Sequence, residues 1–189
     1  MSLDDADHLL SKRADAICCA NVIAAWAERY IGTGHVEGKG DDVPSIEDGI
    51  VVQETGEGKF INAVSVNGHH TLRADDPLSV GGNDSGPTPY DYLLTALGAC
   101  KSMTMRMYAD RKKWPMDRAR VTLRHNKIHA EDCAVCETDE GKVDQFNVEI
   151  AIEGDLSDEQ RQKIYEISNR CPVHQTLINE TSVVSKLTD

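Results

Sequence analysis

Six cysteines fall into three settings: Cys18 and Cys19 adjacent, Cys133 and Cys136 as C-x-x-C, and Cys100 and Cys171 singly. A sulfur acts as nucleophile or metal ligand in its thiolate form, so local charge decides which of these can do chemistry. Cys171 immediately precedes Pro172, and proline favours the first position of a helix. A cysteine at that cap meets unpaired N–H groups and the positive end of the helix dipole, both of which favour thiolate, and Arg170 adds a neighbouring charge. Cys171 is thus either a reactive thiol or a structural cap. Cys100 shares a helical face with Leu93, Ala96, Leu97, Met103, Thr104 and Met107, a spacing that predicts the buried face of its helix. Taken alone, Cys100 is a small core side chain. The two single cysteines would make a dithiol if their helices packed together, which their spacing in sequence does not establish.

The segment HNKIHAEDCAVCE places His125, His129, Cys133 and Cys136 in the pattern H-x3-H-x3-C-x2-C, a donor set suited to tetrahedral zinc. Two histidines four apart in an extended strand lie about 13 Å apart along it. A site made of His129, Cys133 and Cys136, completed by an acidic neighbour or water, is therefore the easier metal candidate. A second dithiol and a hairpin loop without chemistry are its alternatives. Cys18 and Cys19 sit mid-helix in AICCANVIAAW, pointing about 100° apart, so at least one is expected in a core.

These residues need elements to hold them. Residues 8–31 contain no Gly or Pro and carry apolar residues at helical spacing, and GTGHVEGKGDDVPS after them is a linker. We place the boundary near residue 48, giving an N-terminal helical extension and linker over 1–47 and a main domain over 48–189. IVVQET, FINAVSV and HHTLRA are three short strands, with Asn67-Gly68 a hairpin turn between the last two. A Gly- and Pro-rich loop leads into a long helix from Pro89 that closes on Arg111, Lys112 and Lys113 before Trp114-Pro115. RARVTLRHNKIHA and QFNVEIAIEG alternate as half-buried strands, SDEQRQKIYEISNR is a Ser-capped helix, CPVHQTLINE restarts a helix at Pro172, and TSVVSKL is expected to close as a strand. The order β-β-β-α-β-β-α-α-β lacks β-α-β alternation, which favours an α+β fold with antiparallel sheets.

Composition narrows the partners. Thirty-two acidic against 20 basic residues give a net charge of −12, a field that repels phosphate backbones and anionic lipid, so neither nucleic acid nor membrane is an expected partner. No apolar run approaches the ~20 residues that span a bilayer, and MSLDDADHLL lacks a basic, apolar leader pattern. A cytoplasmic location is expected, where cysteines serve catalysis, redox or metals more often than structural disulfides.

GGNDSGPTPYDYLLTALGAC, ending at Cys100, together with RCPVHQTL around Cys171, resembles the paired signature of the OsmC/Ohr family, proteins of osmotic and organic-peroxide stress. The match runs in order over about residues 48–189. The resemblance implies an α+β fold of antiparallel sheets with two central helices, intertwined as a homodimer. It also implies thiol-dependent reduction of small organic hydroperoxides with no required cofactor. In that assignment Cys100 is the peroxidatic thiolate, which is oxidised to a sulfenic acid. Cys171 is the resolving thiol that condenses with it, and an external dithiol reductant restores both. The family glutamate that orients an activating arginine falls at Tyr90 here, while the carboxylate is Asp91, a shift that turns the side chain by about 100° around the helix. The arginine position before the long helix is offered by Arg73, in TLRADD, whose alternative is a solvated strand-end charge. His69 and His70 lie beside the same turn. A ligand-binding or oxidation-sensing protein on the same scaffold, without turnover, is the alternative function.

Overall fold

The computed structural model describes Ile17, Cys19, Ile23, residues 43–133 and residues 140–188. Ile17, Cys19 and Ile23 are helical; the rest of the helix expected over 8–31, and Cys136, lie outside the described residues. Two compact units are distinguished. One holds the described residues up to Gly58 with Asn62–Leu72, and the other holds Lys59–Ile61 with Arg73 onward.

The first unit is built on a three-stranded sheet in the order β1-β2-β3, with β1 Ile50–Glu54, β2 Asn62–Val66 and β3 His70–Ala74. β1 and β2 are antiparallel, with Val52 opposite Val64. Asn67 and Gly68 both take positive φ, 51° and 68°, the backbone that a two-residue hairpin turn demands and that Asn-Gly adopts at little cost. The Asn67 side chain also accepts from Gly49 N at 2.9 Å.

The second unit lays a 24-residue helix, α1 Pro89–Lys112, on the two-stranded hairpin of β4 Met116–His129 and β5 Lys142–Gly154. The strands alternate as their sequences predict: Ala119, Val121, Ile150 and Ile152 pack inward, while Arg124 and Glu149 pair outward at 2.7 Å. Gly98 marks close approach of helix to sheet, since a Cβ there would lie 2.8 Å from Leu123 Cδ1. Met105, Ala109, Met116, Leu156 and Ile164 form the core. Ile164 comes from α2 Asp158–Ser168, which is followed at once by α3 Pro172–Ile178. Burying such side chains contributes ~1.5–3 kcal/mol each.

Two expectations fail. TSVVSKL forms no strand: the segment is irregular, with Val183, Val184 and Leu187 85%, 91% and 93% exposed. Its β-branched residues have the composition of a strand but pair with no edge among the described residues. The buried face of α1 is also turned from the one expected. Leu97 is buried as expected, but Met103 and Met107 are 65% and 72% exposed, and Lys101, Met105 and Ala109 are buried instead. Met105 and Ala109 also recur at helical spacing, so the apolar pattern of α1 does not by itself select one face.

Candidate active site

The site is positioned by the start of α1. Thr88 caps the helix, and its side chain accepts from Asp91 N at 3.2 Å. The Asp91 carboxylate reaches back to Thr88 N at 2.9 Å and Thr88 Oγ1 at 2.7 Å, closing a capping box ahead of which the chain is fixed. Upstream, Asp75 is 2% exposed and organises the loop into α1. Its carboxylate accepts from Asp76 N, Asn83 N, Ser85 N and Ser85 Oγ at 2.8–3.1 Å. The Tyr92 hydroxyl donates to the Arg73 carbonyl, and burial raises its pKa.

Two turns further along, α1 presents Cys100, half-buried, and Lys101, 1% exposed. Cys171 caps α3 and is fully buried. Cys100 and Cys171 lie close enough to act on each other electrostatically, and both thiols are free. The structure thus brings together the two single cysteines, whose meeting their spacing in sequence left open. The Lys101 ammonium donates to Asn169 Oδ1 at 2.8 Å and to the Ser168 carbonyl at 3.4 Å, on the chain leading into Cys171. Burial pulls the Lys101 pKa down, and negative charge on Cys171 and Cys100 would push it back up.

Cys171 behaves differently from its expectation as an activated cap. Burial raises its pKa, which outweighs the His174 N–H donated to its sulfur at 3.4 Å and the charge of Lys101; the hydrogen bond with Cys100 and the charge of Cys100 raise it further. Desolvation of a thiolate outweighs one turn of helix dipole. Cys171 is thus the thiol kept protonated. The half-buried Cys100, beside the exposed Met103 and Met107, is the one a solute can reach. His174 is held below the ordinary histidine pKa by burial and by Lys101.

Arg73 is half-buried near the end of β3, Asp91 is engaged in its capping box, and His69 and His70 are exposed at the β2–β3 turn. Tyr90 stacks on His125 with ring centroids 4.1 Å apart, and His125 in turn stacks on Phe146 and contacts Asp144 Oδ1 at 2.7 Å. His129 ends β4, exposed. Cys133 is disulfide-bonded. Among the described residues no group of three His, Cys, Asp or Glu is placed to hold a metal ion. An open groove of about 460 Å³ is lined by Asp91, Leu94, Gly98 and Ala99 of α1 with Val121 and Leu123 of β4. From Gly98 to Cys100 the helix turns about 200°, so the thiol lies on the far side from this groove.

Lys101 was missed by sequence reasoning. The available signal was its place immediately after Cys100, in an otherwise small and apolar stretch, at i+4 from Leu97 and i−4 from Met105.

Residues 81–186, more than half of the chain, match the family described as OsmC-like protein. An organic hydroperoxide resistance protein from Elizabethkingia anophelis, solved with thiocyanate bound, is similar at a TM-score of 0.52 and 21% identity over 69% of this chain and 88% of its own. A Legionella pneumophila organic hydroperoxide resistance protein OsmC, a predicted redox protein, is similar at a TM-score of 0.51 and 17% identity, covering 68% of this chain and 87% of its own. An OsmC-like protein of Vibrio cholerae is similar at 0.52 and 10% identity, covering 71% and 95%. No curated protein matches the chain. Among the described residues no helix is long and apolar enough to cross a membrane.

Proposed function

The chain belongs to the OsmC-like family, and from that premise we propose that it is a thiol-dependent peroxidase reducing small organic hydroperoxides through Cys100 and Cys171. The observation that carries this reading is the pairing of the two thiols, half-buried Cys100 against buried Cys171, next to a buried lysine. Cys100, as thiolate, attacks the outer peroxide oxygen; the O–O bond breaks, an alcohol leaves and a sulfenic acid remains. Cys171 then attacks that sulfur, water leaves, and a disulfide forms. An external dithiol reduces it by exchange. The exposed stripe of Ala96, Met103 and Met107 beside Cys100 suits the apolar tail of such a peroxide. It also suits cover by a second chain, and we assign the working form as a homodimer.

Peroxide consumption with an aryl or alkyl hydroperoxide and a dithiol reductant tests the reading. Turnover that disappears in Cys100→Ser supports it; thiols no more reactive than free cysteine overturn it. The second reading, a ligand-binding or oxidation-sensing protein without turnover, draws on Tyr90, which meets His125 where the family carries its orienting glutamate. That reading expects one stoichiometric oxidation and no catalytic cycle.

A further inference from the structure

Lys101 has no role in the cycle as just written. Its neighbours are two neutral oxygens, Asn169 Oδ1 and the Ser168 carbonyl, and three titratable groups: Cys100 on its own helix, and Cys171 and His174 on α3. Among the described residues no carboxylate pairs with it. A buried ammonium without an anion is costly, whereas one beside a thiolate is compensated. Among the described residues, the groups whose negative charge would offset it are Cys171 and Cys100, the thiols that the reaction consumes. The charge of Lys101 is therefore tied to the redox state of the thiols, and lysine, unlike arginine, can give up its proton when buried.

We propose that Lys101 is the proton reservoir of this site: an ammonium while Cys100 is a thiolate, it protonates the departing alkoxide and remains a neutral amine in the disulfide form. The inference rests on the peroxidase reading and deepens it. In the first step the Cys100 thiolate takes the outer oxygen with its hydrogen as S–OH, the O–O bond breaks, and the alkoxide takes a proton from Lys101, leaving an alcohol and an amine. In the second step the amine accepts the Cys171 proton, the thiolate so formed attacks the Cys100 sulfur, and the displaced hydroxide recovers that proton as water. Lys101 ends neutral. On reduction the external dithiol supplies two hydrogens, one returning to Cys171 and one to Lys101, as Cys100 leaves as thiolate. His174, held below the ordinary histidine pKa, is neutral at pH 7 and does not compete as the acid.

The test counts protons. Reduced protein is mixed anaerobically with an equivalent of cumene hydroperoxide in weak buffer at pH 7, with a pH indicator and the ultraviolet absorbance of the thiolate followed together. Loss of the thiolate with no net proton uptake is the expected result. Uptake of about one proton per thiolate lost overturns this inference alone, because the alkoxide was then protonated from solvent. A thiolate that peroxide leaves untouched overturns the peroxidase reading and this inference with it. Lys101→Arg keeps the charge but cannot release the proton. It is expected to take up about one proton per thiolate and to oxidise ~10²–10⁴-fold more slowly, the usual loss of a general acid. An arginine variant that takes up no proton overturns the inference. Should that variant fail to fold, the wild-type proton count decides by itself.

Discussion

Lys101 Nζ donates to Asn169 Oδ1 at 2.8 Å, so the residue next to Cys100 holds the chain two residues before Cys171. The bond joins the middle of α1 to the connection between α2 and α3, so its loss should loosen the approach of the two sulfurs. Hydrogen bonds to charged groups contribute about 1.5–3 kcal/mol, and a buried donor left unpaired costs more than the bond contributes. Asn169→Ala is expected to lower stability by about 1–3 kcal/mol in urea denaturation, and to slow disulfide closure more than the first oxidation. Equal slowing of both steps would show that the bond does not set the approach of the thiols.

Cys171→Ser should still allow one oxidation of Cys100. With no resolving sulfur, the sulfenic acid persists, is labelled by a dimedone-type nucleophile, and passes to sulfinic acid under excess peroxide. Mass spectrometry of the intact chain follows each addition of oxygen. A variant whose Cys100 gains no oxygen while Cys100→Ser is oxidised at Cys171 would reverse the two roles.

The sequence carried most of the fold because its local signals agree. Asn67-Gly68 supplies the positive φ values of its turn, Thr88-Pro89 with Asp91 starts α1 where its capping box forms, and alternation in β4 and β5 matches the inward and outward faces. The Cys171-Pro172 cap marked one thiol and the family resemblance the pair, but their meeting is a tertiary fact that no local pattern contains. Lys101 was hidden for a related reason. Hydrophobic periodicity counts lysine as surface, and only the contact with Asn169 and the thiols makes its burial tolerable. The cap at Cys171 is legible in sequence, while the burial that raises its pKa is not.

Acid should loosen the loop that leads into α1. Four hydrogen bonds to its carboxylate hold the Asp75 pKa below 3.8 although burial works to raise it. A carboxyl depressed in the folded state adds stability above the unfolded value and loses it as pH falls through the folded one. Asp75→Asn should lower Tm at neutral pH, since an amide offers N–H groups to N–H donors, and should flatten the fall of Tm below pH 3.8. An unchanged acid limb would show that other carboxylates govern it.

Two glycines in the same unit should respond in opposite ways to alanine. A Cβ at Gly82 would lie 1.8 Å from the Asp76 carbonyl oxygen, a backbone atom in a loop pinned by Asp75. Gly82→Ala is therefore expected to cost at least ~2 kcal/mol. At Gly98 the obstacle is the end of the Leu123 side chain at 2.8 Å, which can change rotamer. The higher helix propensity of alanine, about 1 kcal/mol over glycine, offsets much of that strain. Gly98→Ala should stay within ~1 kcal/mol of wild type. Chemical denaturation of both variants checks the contrast, and equal losses would contradict it.

The exposed stripe on α1 makes the dimer testable without touching a thiol. Met107 is 72% exposed in the single chain, so a glutamate there faces water in a monomer and costs the monomer little. In a symmetric dimer that buries the stripe, each copy loses about 1.5 kcal/mol of apolar burial, or ~3 kcal/mol for the pair, roughly a hundredfold in Kd. Sedimentation should therefore find a wild-type dimer at micromolar concentration and a Met107→Glu form shifted toward monomer. Circular dichroism of that monomer should show the helical content retained. A wild-type chain that sediments as a monomer at micromolar concentration would remove the dimer from the proposal and leave the methionine stripe open to substrate alone.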